Sequence, residues 1–293
     1  MSHTQYIDGY KSKLSLRQTQ QAIKVIKDTF QVLLAQNLHL ERVTAPVLVT
    51  ADSGINDDLS GVERKVAFSV KEMDEQHAEV VQSLAKWKRV ALGRYGFKPG
   101  EGIYTDMNAI RRDDDMDNVH SIFVDQWDWE AVITADHRTV EHLQKTVRRI
   151  VKAIADTNKL LQQKYPLLTA EICEEVTFIT AQELADRYPD RFVWFCNVDP
   201  RAKDNSPTAD LSCIINYYKK LGAKGVGELT SHLYADDPMV DNLFGHLAEQ
   251  NMPVTIHIAP RFGGGYGIID ELGLPRIEKM LKKLDDITKD VNL

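Results

Sequence analysis

At 293 residues, with 43% hydrophobic and 27% charged side chains, the chain can bury a full core and has the composition of a globular protein. A net charge of −7 argues against a mainly nucleic-acid-binding surface, and no apolar run approaches the roughly 20 residues that a membrane span needs. The opening MSHTQYIDGYKSK lacks the apolar core of a signal peptide, and Cys173, Cys196 and Cys213 follow no metal-type spacing, so a reducing cytoplasm is expected.

Along the chain, Leu16, Ile23, Ile26, Phe30 and Leu33 fall on one helical face, with Ser15 placed to cap it. Short strands follow at 41–50, 62–70, 78–83 and 102–110, with a helix over 84–97 between the third and fourth. A fifth strand, HSIFVDQWDWE over 120–130, precedes a long amphipathic helix over 138–164 carried by Val140, Leu143, Val147, Ile150, Ile154 and Leu161. Strands in succession beside segregated helices predict an antiparallel α+β domain over residues 1–190. The rhythm then changes inside DRYPDRF, 186–192, with no linker. Three nearly continuous apolar strands at 191–199, 224–229 and 253–259 alternate with helical patterns at 208–221, 237–250 and 274–284. That pattern predicts a partial parallel βα segment over 191–293, TIM-barrel-like in spacing but short of the eight units that closure requires.

The strand over 120–130 is the oddest element. One face carries Ile122, Val124, Gln126 and Asp128, and the other Phe123, Asp125, Trp127 and Trp129, so neither is simply wet or dry. Elsewhere the charged segments are individually ordinary. Asp52, Asp57 and Asp58 in ADSGINDDLSG fit a solvated Asx-rich turn as well as a substrate loop. Lys86, Lys88 and Arg89 fit a solvated helix face, and Arg111 and Arg112 a charged hairpin tip, as well as they fit ligand binding.

Taken together and in order, APVLVTADSGINDDLSGVERKV (45–66), EVVQSLAKWKR (79–89), GEGIYTDMNAIRRDDD (100–115) and HSIFVDQWDWE (120–130) resemble the aspartate–ammonia ligases, which share the catalytic core of the class II aminoacyl-tRNA synthetases. ITAQELADRYPD (179–190) adds a weaker match. The resemblance implies an ATP- and Mg²⁺-dependent ligase, a homodimer, that makes L-asparagine from L-aspartate and ammonia through β-aspartyl-AMP. It places Asp57 and Gln126 near the reacting side-chain carboxylate, Ser83, Lys88 and Asp128 around the amino acid, and Arg111 on the α-phosphate of ATP. The chemistry is coherent, because a carboxylate attacking a phosphate needs a planar guanidinium to offset the developing charge.

Two features depart from that pattern. The family's glycine-rich third motif ends in Ser-Arg, whereas GGGYG (263–267) is followed by Asp270 where the arginine belongs, so it is expected to be a loop after a strand. With Arg111 as the one recognisable phosphate group, slow turnover is expected. The last third instead resembles TIM-barrel amidohydrolases through YPDRFVWFCNVDPRA (188–202), GAKGVGEL (222–229), DDPMVDNLFGHLAEQNMPVTIHIAP (236–260) and LGLPRIEKML (272–281). That likeness puts Glu228 and His257 at strand ends and makes His257 a metal ligand, for Zn²⁺, although a lone strand-end histidine is more often structural. The His-x-His such enzymes use is absent, and a catalytic metal needs about three protein ligands. A ligase, a metal-dependent amidohydrolase and a non-catalytic hybrid joined at YPD are the three functional expectations.

Overall fold

The computed structural model describes residues 4–57, 59, 63–259 and 267–290. It separates into two compact units, the first formed by residues up to 57 and 63–178, the second chiefly by the chain from Ile179 onward.

The first unit opens with helix α1 (Leu16–Leu38), whose Ser15 hydroxyl accepts from the Gln18 N–H while the Gln18 side chain accepts in return from the Ser15 N–H. Its fully buried residues are Ala22, Phe30 and Leu34, and of the expected stripe Phe30, Ile26 and Leu33 pack into the same clusters. Leu16 is 89% exposed and Ile23 is 41% exposed, because the helix packs on α3 (Val140–Lys164) through the small Ala22 and through Phe30. The expected single antiparallel sheet is instead two small ones. Strands β2 (Leu48–Thr50), β3 (Ala67–Val70) and β4 (Gln76–Val80) form an antiparallel sheet in the order β2-β4-β3. Strands β1 (Leu40–Arg42), β5 (Gly102–Ile110) and β6 (Phe123–Ala131) form the other, with β1 parallel and β6 antiparallel to β5. Pro46, which has no N–H to give a ladder, lies between β1 and β2 and helps divide the run expected at 41–50. Helix α2 (Ala85–Tyr95) packs against β5 and β6, and Val81 and Leu84 meet Met107 and Ala109 in the core beneath it.

The second unit holds α4 (Ala181–Arg187), α5 (Ser212–Lys220), α6 (Pro238–Glu249) and α7 (Pro275–Asp290). Its strands are β7 (Val226–Leu229), β8 (Ser231–Tyr234), β9 (Val254–Ile256), β10 (Ile258–Ala259) and β11 (Gly267–Ile269). Every pairing among them is parallel, as expected, and Cys196, β7 and β9 do lie side by side in chain order. The barrel-like segment is corrected, however. The strands make one two-stranded and one three-stranded sheet, with β11 inserted between β10 and β8, and 191–199 supplies only the bridge at Cys196. A buried cluster including Val226, Leu243, Leu247, Ile268 and Met280 forms the core. Asp270, fully buried, accepts from the N–H groups of Glu271, Arg276 and Ile277, so its negative charge caps the first turn of α7. The GGGYG segment lies outside the described residues up to Tyr266.

Candidate functional site

Strand β6 resolves its odd alternation by lying between two different environments. Phe123, Asp125, Trp127 and Trp129 occupy the face toward α1, where Trp127 meets Phe30 with ring centroids 5.0 Å apart and Asp125 accepts from Lys27 Nζ at 2.9 Å. The opposite face carries Val124, Gln126, Asp128 and Glu130 toward α2 and the turn after β4. There Lys88, reaching in from α2 and only 6% exposed along its side chain, pairs with Asp128. The same ammonium donates to the Trp129 carbonyl at 2.9 Å and lies 3.7 Å from Glu130. A lysine expected on a solvated helix face is therefore an interior cation, while its neighbours Lys86 and Arg89 are exposed.

Two residues before Asp128 on the same face, Gln126 donates to Met107 Sδ at 3.3 Å, a weak acceptor directly across the ladder. Ser83 ends the turn between β4 and α2, its hydroxyl accepting from the Ala85 N–H at 3.3 Å. Arg111, at the end of β5, donates from Nε to the Gln82 carbonyl at 3.4 Å. Its terminal nitrogens make no hydrogen bond among the described residues, nor does the half-buried Asp57 carboxylate. Asp57 is held by its neighbour Asn56, which bonds to Glu79, Val80 and Gln82. Thus Lys88 and Asp128 meet directly, Arg111 and Ser83 are linked through Gln82, and Asp57 joins through Asn56. Gln126 touches none of these but shares the face of Asp128.

Several members of the cluster carried no warning in the residues themselves. Glu130 adds a second carboxylate to Lys88, and nothing but its period-two spacing from Asp128 pointed to it. Gln82 is fully buried, with both carboxamide atoms lacking a hydrogen-bond partner among the described residues, and its backbone is bonded at both ends. Asn56 was visible only as one polar residue of an Asx-rich loop. At the hairpin tip, Arg64 fastens to Asp113, donating from its backbone N–H at 2.6 Å and from its guanidinium. Those bonds hold the Asp113 carboxyl at about 2, below its ordinary range.

The second unit is a separate case. His257, between β9 and β10, shares a proton-bearing contact of 2.6 Å between Nδ1 and Glu228 Oε1, and Asn197 Nδ2 donates to the Glu228 carbonyl at 3.2 Å. Among the described residues, no group of three or more His, Cys, Asp or Glu side chains could hold a metal ion. The residues present therefore do not fit the zinc centre expected around His257, because one imidazole and one carboxylate fall short of a catalytic ligand set.

Comparison with known proteins adds the following. The family model described as aspartate-ammonia ligase matches residues 17–194. An aspartate–ammonia ligase of Clostridium perfringens (strain ATCC 13124) is 56% identical over 182 residues, covering 62% of this chain and 54% of that protein. The ligase of Levilactobacillus brevis is 46% identical over 207 residues, covering 71% and 60%. The chain spans about half the length of the curated relatives it matches. Among solved structures, asparaginyl-tRNA synthetase from Pyrococcus horikoshii complexed with asparaginyl-adenylate matches with 14% identity and a TM-score of 0.36, covering 80% of this chain and 58% of that one.

Proposed function

We propose, for a chain that belongs to the aspartate–ammonia ligase family, that the cluster around Lys88 and Asp128 binds L-aspartate for conversion to L-asparagine. One observation carries this reading. A free amino acid presents an ammonium and a carboxylate, and the Lys88–Asp128 pair offers the complementary charges side by side in a largely buried setting. A zwitterion entering there exchanges one internal ion pair for two intermolecular ones, so neither charge is left unpaired. An amino acid is selected by charge complementarity before its side chain is read.

The remaining residues fall into roles around that anchor. Ser83 stands at the start of α2 as a small donor to the bound amino acid. Gln126 and Asp57 serve the side-chain carboxylate, with Gln126 giving up a weak sulfur acceptor for an oxygen. Arg111 presents its terminal nitrogens, which bond to nothing among the described residues, to the α-phosphate of ATP. The β-carboxylate oxygen attacks that phosphorus and expels pyrophosphate, leaving β-aspartyl-AMP. Ammonia then attacks the acyl carbon, the C–O bond to AMP breaks, and the nitrogen releases a proton to the anionic leaving group or to Asp57. Mg²⁺ belongs to this reading as the usual companion of ATP, but the described residues offer no metal cluster and no step is assigned to it.

The ligase-like part is taken as residues 1–190, in keeping with the family match ending at 194, and 191–293 as a separate βα segment without an assigned step. A homodimer fits the apolar wall around a cavity of about 680 Å³, where Val140 is 69% and Leu143 60% exposed. A cytoplasmic setting accords with the family's metabolite substrates, and no helix among the described residues is long and apolar enough to cross a membrane. Isothermal calorimetry with L-aspartate and L-asparagine tests the binding step. Heat from either one, lost in Asp128→Ala, supports the reading, and no heat from both overturns it.

A further inference from the structure

We infer that Asn56 is the positioning residue of this site, the side chain that sets Asp57 and the Gln82–Ser83 turn at a fixed distance from each other. The inference rests on the ligase reading above. Asn56 is 3% exposed, and its carboxamide is fully engaged. Its Nδ2 donates to Glu79 Oε2 at 3.0 Å and to the Val80 carbonyl at 3.1 Å, while its Oδ1 accepts from the Gln82 N–H at 2.9 Å.

This set of bonds answers a local problem. Strand β4 ends at Val80, and the chain must turn before α2 begins at Ala85. Buried in that turn, the Gln82 N–H needs an acceptor that the sheet no longer supplies. Asn56 supplies it and also grips the last carbonyl of β4, so one rigid amide spans the strand end and the turn. Three residues with proposed functions are then one step from this amide. Asp57 follows it in the chain, Ser83 follows Gln82, and the Gln82 carbonyl accepts from Arg111. Glu79, held by Lys65 Nζ at 3.4 Å, fixes the amide from the other side.

Aspartate, glutamine and alanine each fail these demands. Aspartate keeps the acceptor but loses both donors and sets a carboxylate against Glu79. Glutamine carries an extra methylene into a buried space, and alanine removes the acceptor for the Gln82 N–H together with both donors to Glu79 and the Val80 carbonyl. Asn56 touches no substrate in this scheme and acts through the residues beside it.

The test uses the full chain and L-aspartate as the calorimetric probe. Asn56→Ala and Asn56→Asp are compared with Asn37→Ala, whose asparagine makes a part-buried bond to the Arg149 carbonyl at 3.0 Å away from the site. We expect both Asn56 variants to bind L-aspartate about tenfold or more weakly at pH 8, on the scale of one lost charged hydrogen bond. Asn37→Ala should lower Tm while leaving Kd within about twofold, the non-additive background for independent sites. Asn56→Asp combined with Glu79→Gln restores a donor facing the new carboxylate and keeps the acceptor for Gln82, but it leaves the Val80 carbonyl without its donor, so it should recover part of the affinity. It also keeps the proposal testable if Asn56→Ala fails to fold. Unchanged Kd in the Asn56 variants, an equal loss in Asn37→Ala, or no recovery in the double variant overturns the inference while leaving the ligase reading intact. No binding by the unaltered chain overturns both.

Discussion

Removing Asp128 and removing Lys88 are not equivalent, and the structure says which costs more. Lys88 has a side chain 6% exposed and Asp128 one that is 23% exposed, so the cation is the member that cannot reach water. In Asp128→Ala the ammonium stays buried, with the Trp129 carbonyl at 2.9 Å and Glu130 at 3.7 Å as its remaining partners. Breaking a fully buried pair costs about 3–5 kcal/mol, and these two partners retain part of that, so a loss of about 2–3 kcal/mol is expected. In Lys88→Met the apolar stem is kept, and the carboxylate left behind is open enough to be hydrated, so about 1 kcal/mol is expected. Urea unfolding followed by tryptophan fluorescence reads the difference, since Trp87, Trp127 and Trp129 lie in the first unit and only Trp194 in the second. The two units are fitted as separate transitions. Saturating L-aspartate, at about 100 times Kd, should raise the first transition of the unaltered chain by about 2.7 kcal/mol and leave Asp128→Ala unmoved. The reasoning fails if Lys88→Met costs as much as Asp128→Ala, or if ligand stabilises all three proteins alike.

Other expectations concern turnover and acid. In an assay with labelled aspartate, ATP, Mg²⁺ and ammonia, Arg111→Ala should lower labelled asparagine by roughly 10²–10³-fold, the effect of one transition-state donor, and unchanged product would refute its phosphate role. Asp113 is held at about 2 by its bonds from Arg64, so what the pair contributes is present above about pH 4 and is lost as the pH falls toward 2. Hydrogen exchange at the Arg64 amide should report that loss, and Asp113→Asn should reproduce it at neutral pH. In the second unit, Lys279 and then Arg276 hold the Asp236 carboxyl at about 2, and its side chain is 12% exposed. Asp236→Asn should therefore destabilise that unit by about 1–2 kcal/mol at pH 7 and by little below about pH 2, and a constant difference across that range would contradict it.

How much of this was legible depended on whether the deciding interaction was local. The cap at Ser15, the helices near 84–97 and 138–164, and the β6 alternation all follow from residues within a few positions of one another. The face of α1 followed only in part, through Ile26, Phe30 and Leu33. Periodicity favours large apolar residues, but the small Ala22 is buried against Leu161 of α3. Likewise β8 and β11 are strands of four and three residues, and their pairing joins positions about 35 apart in sequence, which no window of residues contains. Pro46 sits inside the β-branched run expected as one strand, and the two short strands on either side of it pair in different sheets.

For the candidate site, alternation along β6 said that Gln126 and Asp128 share a face, but not whether that face meets water, a helix or a ligand. Only the third dimension supplies Lys88, which comes from 40 residues earlier in the chain, and makes Asp128 half of a zwitterion-shaped pair. Arg111 shows the same dependence, since its guanidinium reaches the cluster through the carbonyl of Gln82, 29 positions away. The carboxamide of Gln82, without a partner among the described residues, then becomes the sharpest constraint on the arrangement. Burying an amide without partners costs several kcal/mol, a penalty that folds rarely carry at a position with no task. Its backbone N–H bonds to Asn56 and its carbonyl to Arg111, so it cannot leave the site without dragging both along. Gln82→Leu, close in volume and free of that penalty, should therefore raise the stability of the first unit while leaving the Asn56 and Arg111 bonds in place. A fall in stability would mean that the carboxamide has a partner in solution, and hydrogen exchange at the Gln82 amide would show whether that partner sits at the site.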